Sequence, residues 1–81
     1  MDFRSSFLGN AIREYRLNKG LSQEVVSGQA SVPRSHLSDI ELGKVNPKVD
    51  TLWAICDALD VSASEILSAA EKAMYEYRGD K

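Results

Sequence analysis

Cysteine and histidine each occur once in the 81 residues, as Cys56 and His36. A single cysteine excludes an internal disulfide, and one of each leaves no Cys/His cluster for a metal ion. The same scarcity removes the usual catalytic constellations, since there are no paired carboxylates around a glycine-rich loop either; the expectation is neither an enzyme nor a chain with a cofactor or small-molecule ligand. No apolar run is long enough to cross a bilayer, and residues 1–9 lack a basic segment leading into an apolar stretch, so a soluble, cytoplasmic protein with no membrane partner is expected.

A large charge excess is missing as well. The net charge is -2, which by itself speaks against a nucleic-acid partner, because DNA affinity rests largely on Lys and Arg neutralising phosphates. The distribution changes that inference. Residues 1–50 hold seven Lys/Arg and six Asp/Glu, a balance of +1, whereas residues 51–81 hold three and six, a balance of -3. The acidic surplus therefore sits in the C-terminal part, and the first fifty residues remain free to face DNA. At this length the chain forms one domain, residues 1–81, with one modest core.

Strand-like alternation, internal repeats and low-complexity segments are also absent; helical spacing fills the chain. Leu8, Ala11, Ile12 and Tyr15 recur at intervals of three and four, which predicts a first helix over about 6–19, ended by Gly20. Ser22 is a good N-cap for a second helix over 23–30, with Glu24 in its first turn. Ser31 and Val32 make a tight turn. Pro33, with no backbone N–H and a φ already suited to a helix, opens a third helix reaching Leu42, and Gly43 ends it. Leu52, Ile55, Cys56 and Leu59 mark a fourth helix that Asp60 closes. Ser62 and Glu65 have capping-box spacing, so a fifth helix starts at Ala63 and runs to about Tyr77 along Ile66, Leu67, Ala70, Ala73 and Met74. The fold class is all-α, with a core over 6–67 and a C-terminal helical extension over 68–78.

The third helix holds the most information. At about 100° per residue, Leu37 and Ile40 point to one side, and Ser35, Ser38, Asp39 and Leu42 point away. Arg34 lies at the N-terminal end. Such a face suits base-edge reading in a major groove, where Arg pairs with guanine and Ser takes several partners. Periodicity alone, however, favours the solvated face of an ordinary surface helix over a reading face.

Residues 8–67 add a further observation. The segments LGNAIREYRLNKGLSQ, VPRSHLSDIELGKVNP and DTLWAICDALDVSASEIL occur in this order, and together they resemble the lambda-repressor-like, Xre/Cro-type helix-turn-helix family of bacterial and phage regulators. The resemblance implies a compact five-helix domain with the helix-turn-helix at helices 2 and 3. It puts Arg34, Ser35, Ser38 and Asp39 at base-facing positions with His36 on their flank. It puts Gln23 against a phosphate or an adjacent base edge, and Lys44, Asn46 and Lys48 in a loop that meets the DNA backbone. It also implies an ion pair between Arg16 and Glu41 that links the first and third helices.

Three residues depart from the family pattern. Ser31 stands where the turn usually has Gly, so the backbone there either becomes left-handed at some cost or bends differently. Pro33 replaces a Ser or Thr cap of the third helix, and Lys48 replaces the Ser cap of the fourth. Elsewhere, Cys56 lies on a core face and reads as a structural thiol, while His36 reads as a polar contact near DNA. Trp53 falls off the Leu52/Ile55/Leu59 face. It either joins Met74 and Tyr77 in an exposed patch for a partner or is covered by the fifth helix.

The function implied is a transcriptional regulator, a repressor for example, that reads double-stranded DNA as a homodimer on a near-palindromic operator, with dimer contacts from the fourth and fifth helices. Small family members include restriction-modification controllers, repressors of phages or mobile elements, and antitoxin-like regulators. A protein-interaction or antitoxin-like module on the same fold is the alternative.

Overall fold

The computed structural model describes residues 3–79; residues 1, 2, 80 and 81 of the single domain read from the sequence lie outside them. Among the described residues there are five helices and no strand: α1 (Phe3–Asn18), α2 (Gln23–Ala30), α3 (Arg34–Glu41), α4 (Val49–Leu59) and α5 (Ala63–Gly79).

The helix boundaries follow local chemistry. Gly20 leaves α1 at φ 70°, a left-handed conformation that glycine takes without a Cβ clash. Ser22 then caps α2 by accepting the Val25 N–H at 3.1 Å. Likewise, the Glu65 N–H donates to Ser62 Oγ at 3.1 Å, so one half of the expected capping box starts α5 at Ala63. Asp60 ends α4 at φ 57°.

The bounds of α3 and the start of α1 differ from the sequence expectation. Pro33 occupies the cap position rather than the first helical turn, with φ -56° and ψ 139°, and α3 begins at Arg34 and ends at Glu41 with Leu42 as its C-cap. The extended ψ of Pro33 is what moves the start by one residue. At the other end of the chain, α1 begins at Phe3 instead of about residue 6. Phe3 in the added turn lies edge-on to Phe7 at 5.7 Å, one turn further along α1, and Phe7 in turn lies edge-on to Tyr77 at 5.9 Å. A local pattern cannot show that the end of α5 will cover the beginning of α1.

Ile12, Val26, Leu37, Ile40, Ile55, Leu59 and Ile66 are fully buried and come from all five helices. Each such side chain contributes about 1.5 to 3 kcal/mol relative to exposure. α1 packs along α5 and against α3, while α2 packs on α4 and α3. α1 and α5 run antiparallel, with Tyr15 beside Ser64 and Ala69 and with Phe7 beside Tyr77. α3 is thus held from behind by α1 and α2, with its other side free.

Candidate nucleic-acid interface

α2 and α3 are joined by residues 31–33 alone, so the turn geometry decides the angle between them. Ser31 takes the left-handed conformation, φ 56° and ψ 42°, and the Val32 N–H reaches back to the Ser27 carbonyl at 2.9 Å. A serine therefore takes a conformation that glycine adopts freely, with the steric strain of a Cβ at positive φ.

The rear of α3 is fastened by a polar cluster. Glu41 accepts from Arg16 Nε at 2.7 Å through Oε2 and from Arg16 Nη2 at 2.9 Å through Oε1. The same Oε1 accepts from Gln23 Nε2 at 2.9 Å, and Arg16 Nη1 donates to the Leu21 carbonyl at 2.8 Å. The Arg16 and Glu41 side chains are only 9% and 2% exposed. Hydrogen bonding to Glu41 raises the Arg16 pKa, so the guanidinium stays charged at every working pH. One carboxylate thereby ties together the end of α1, the start of α2 and the end of α3. Among the described residues no buried side-chain polar atom lacks a partner.

Gly9 adds a contact that periodicity did not mark. A Cβ there would overlap the Ile40 carbonyl oxygen and lie 2.8 Å from that of Glu41, so α1 crosses the backbone of α3 at a distance only glycine permits. The available signal was a glycine inside a helical pattern, which often marks close packing. Gly43, at φ 77°, likewise closes on Ser6.

The opposite side of α3 has the reverse character. Ser35 and His36 are exposed there, Ser38 and Asp39 half-buried, and Arg34 is exposed at the N-terminal end of the helix. None of their side chains has a hydrogen bond or ion pair among the described residues. Pro33 provides no side-chain cap, and its carbonyl accepts from the His36 and Leu37 N–H groups at 3.0 and 3.1 Å, which leaves the N–H groups of Arg34 and Ser35 open at that end of α3. Lys44, Asn46 and Lys48 are exposed in the loop that follows, also without side-chain partners. Gln23 differs from the other expected phosphate contacts, because its amide nitrogen is already turned inward to Glu41.

Trp53, Met74 and Tyr77 have separate neighbours. Trp53 is 58% exposed on α4, one turn after the exposed Val49, and α5 does not cover it. Met74 lies in a groove with Leu8, Leu67 and Ala70, and Tyr77 packs on Phe7. Cys56 is buried, and that burial pushes its thiol pKa up. No helix is long and apolar enough to cross a membrane, and no group of His, Cys, Asp or Glu could hold a metal ion, among the described residues.

Two short helices at a tight turn, the second with a clamped rear and an unpartnered polar front, define a helix-turn-helix DNA-binding fold. The helix-turn-helix family model matches residues 12–66, and the chain belongs to that family, as an Xre/Cro-type transcriptional regulator rather than an enzyme. It is 33% identical over 78 residues to the HTH-type transcriptional regulator y4dJ of Sinorhizobium fredii, covering 96% of this chain and all of y4dJ. It is also 33% identical over 79 residues to the immunity repressor protein of Bacillus phage phi105, covering 91% of this chain but 55% of the repressor. The chain thus spans about half the length of that relative. Among solved structures, the clp gene regulator ClgR from Corynebacterium glutamicum superposes with a TM-score of 0.92 at 25% identity, covering 98% of this chain and 84% of that one.

Proposed function

We propose that this regulator reads a specific double-stranded DNA sequence by placing α3 in the major groove. The observation that carries the reading is the contrast across α3, where every polar group behind the helix is paired and those in front are unpaired. Arg34, Ser35, Ser38 and Asp39 face the base edges with His36 at their flank. Lys44, Asn46 and Lys48, with Gln23, meet phosphates and set the register. The second amide hydrogen of Gln23 remains available for a phosphate while the first holds Glu41. Two copies associate through α4 and α5, where Trp53, Val49 and Leu67 are exposed, and the operator is near-palindromic with half-sites about 34 Å apart.

Enrichment from a randomised duplex pool tests this. A two-fold symmetric consensus, bound with an affinity that falls steeply as salt rises, is the expected result. Binding that ignores both sequence and salt would reject the reading. It would favour a protein-interaction module instead, for which the exposed Trp53 and the acidic C-terminal part speak.

A further inference from the structure

We propose that Asp39 selects the operator by exclusion: it accepts a hydrogen bond from the amino group of a cytosine or adenine in each half-site and rejects guanine or thymine there, while weakening affinity for DNA in general. The inference rests on the placement of α3 in the major groove.

Asp39 lies one turn beyond Ser35 on the side of α3 turned away from Leu37 and Ile40. Its carboxylate has no hydrogen-bond or salt-bridge partner among the described residues; only its backbone carbonyl is engaged, accepting the Lys44 N–H at 2.9 Å. Nor does the charge support the helix. It sits in the last turn of α3, which contains no basic residue, and there the helix dipole disfavours an anion. A half-buried, unpaired carboxylate in that place contributes nothing evident to the fold.

Its chemistry is one-sided. An ionised carboxylate only accepts hydrogen bonds. In the major groove guanine presents N7 and O6 and thymine presents O4, all acceptors, while cytosine N4 and adenine N6 donate. Opposite an amino group Asp39 is paired. Opposite guanine or thymine it is a desolvated charge facing another acceptor, and on any sequence it is repelled by the phosphates. Discrimination thus comes from a penalty on the wrong partner more than from a gain on the right one. Arg34 at the other end of the helix has the complementary chemistry, with donors only.

The test uses the full chain, wild type, D39A and D39N. A duplex enriched by the wild type is measured with all its single-base-pair variants and with one unrelated duplex. The wild-type consensus should contain C or A at one position per half-site, and changing that base to G or T should weaken the wild type about tenfold. D39A should discriminate less than about twofold at that position, keep the other preferences, and bind the unrelated duplex several-fold more tightly. D39N, which keeps the shape but adds a donor, should tolerate guanine or thymine there. Wild-type preferences retained by D39A at every position, or weaker binding of D39A to the unrelated duplex, would overturn the proposal while leaving the groove placement intact. A wild type that enriches no sequence would overturn both.

Discussion

The two sides of α3 differ in how their polar groups are satisfied. Behind the helix, Glu41 has three donors, two from Arg16 and one from Gln23, all within 2.9 Å. In front Ser35, His36, Ser38 and Asp39, and at the N-terminal end Arg34, have no side-chain partner among the described residues. Both sides belong to one eight-residue helix. Desolvation explains the difference. A buried charge must be paired or the fold loses several kcal/mol, whereas a polar group left in water is free to exchange that water for a ligand. Rear substitutions should therefore be read in stability and front substitutions in binding.

The largest effect is expected at the rear. Glu41→Ala removes the acceptor of three hydrogen bonds and leaves the Arg16 guanidinium buried, and should lower unfolding free energy by about 3 to 5 kcal/mol in denaturant titrations. Ser38→Ala, on the same helix, should stay within about 0.5 kcal/mol. Equal midpoints for the two would erase the contrast.

Next comes Gly9→Ala, which probes the rear through sterics rather than charge. The added methyl meets the Ile40 carbonyl, and forcing α1 off α3 should destabilise the fold by about 1 to 3 kcal/mol. A thermal midpoint that stays at the wild-type value would show that α1 can shift freely.

The front is broken by Arg34→Ala. Stability should be unchanged, and binding should weaken by about 1 to 3 kcal/mol with relaxed preference at a single base pair. Uniform weakening across sequences would move Arg34 to the phosphates. Lys44→Ala supplies the contrasting case, since it should weaken every sequence and reduce the salt slope by about one unit.

The smallest effect sharpens the hinge between the two faces. Ser31→Gly keeps the left-handed turn at φ 56° and removes its Cβ strain, so unfolding free energy should rise by up to about 1 kcal/mol with DNA preference unchanged. A drop in stability would mean that the serine side chain supports the turn.

Much of this was legible along the chain because it depends on neighbours in sequence. Ser22 and Ser62 cap the helices that follow them, Gly20 and Gly43 end helices at positive φ, and the apolar spacing finds all seven fully buried aliphatics except Val26. Short-range steric and hydrogen-bond rules suffice for such features. The front of α3 was legible only in part: face and chemistry could be read, but the same pattern fits any solvated helix. The resemblance across residues 8–67 separated those readings.

Other features depended on where distant segments meet. A glycine inside a helical pattern signals a close approach at Gly9 but not that the α3 backbone makes it, and nothing local to Gln23 reveals that its amide will turn toward Glu41, 18 residues away. The meeting of Tyr77 with Phe7 and the exposure of Trp53 both followed from α5 lying along α1. The amino-acid sequence by itself determined five amphipathic helices, their caps and the polar face of the third. Only the tertiary structure decided which polar groups are used in holding that helix and which remain unpaired, because partnership is a property of distance in space and not of spacing along the chain.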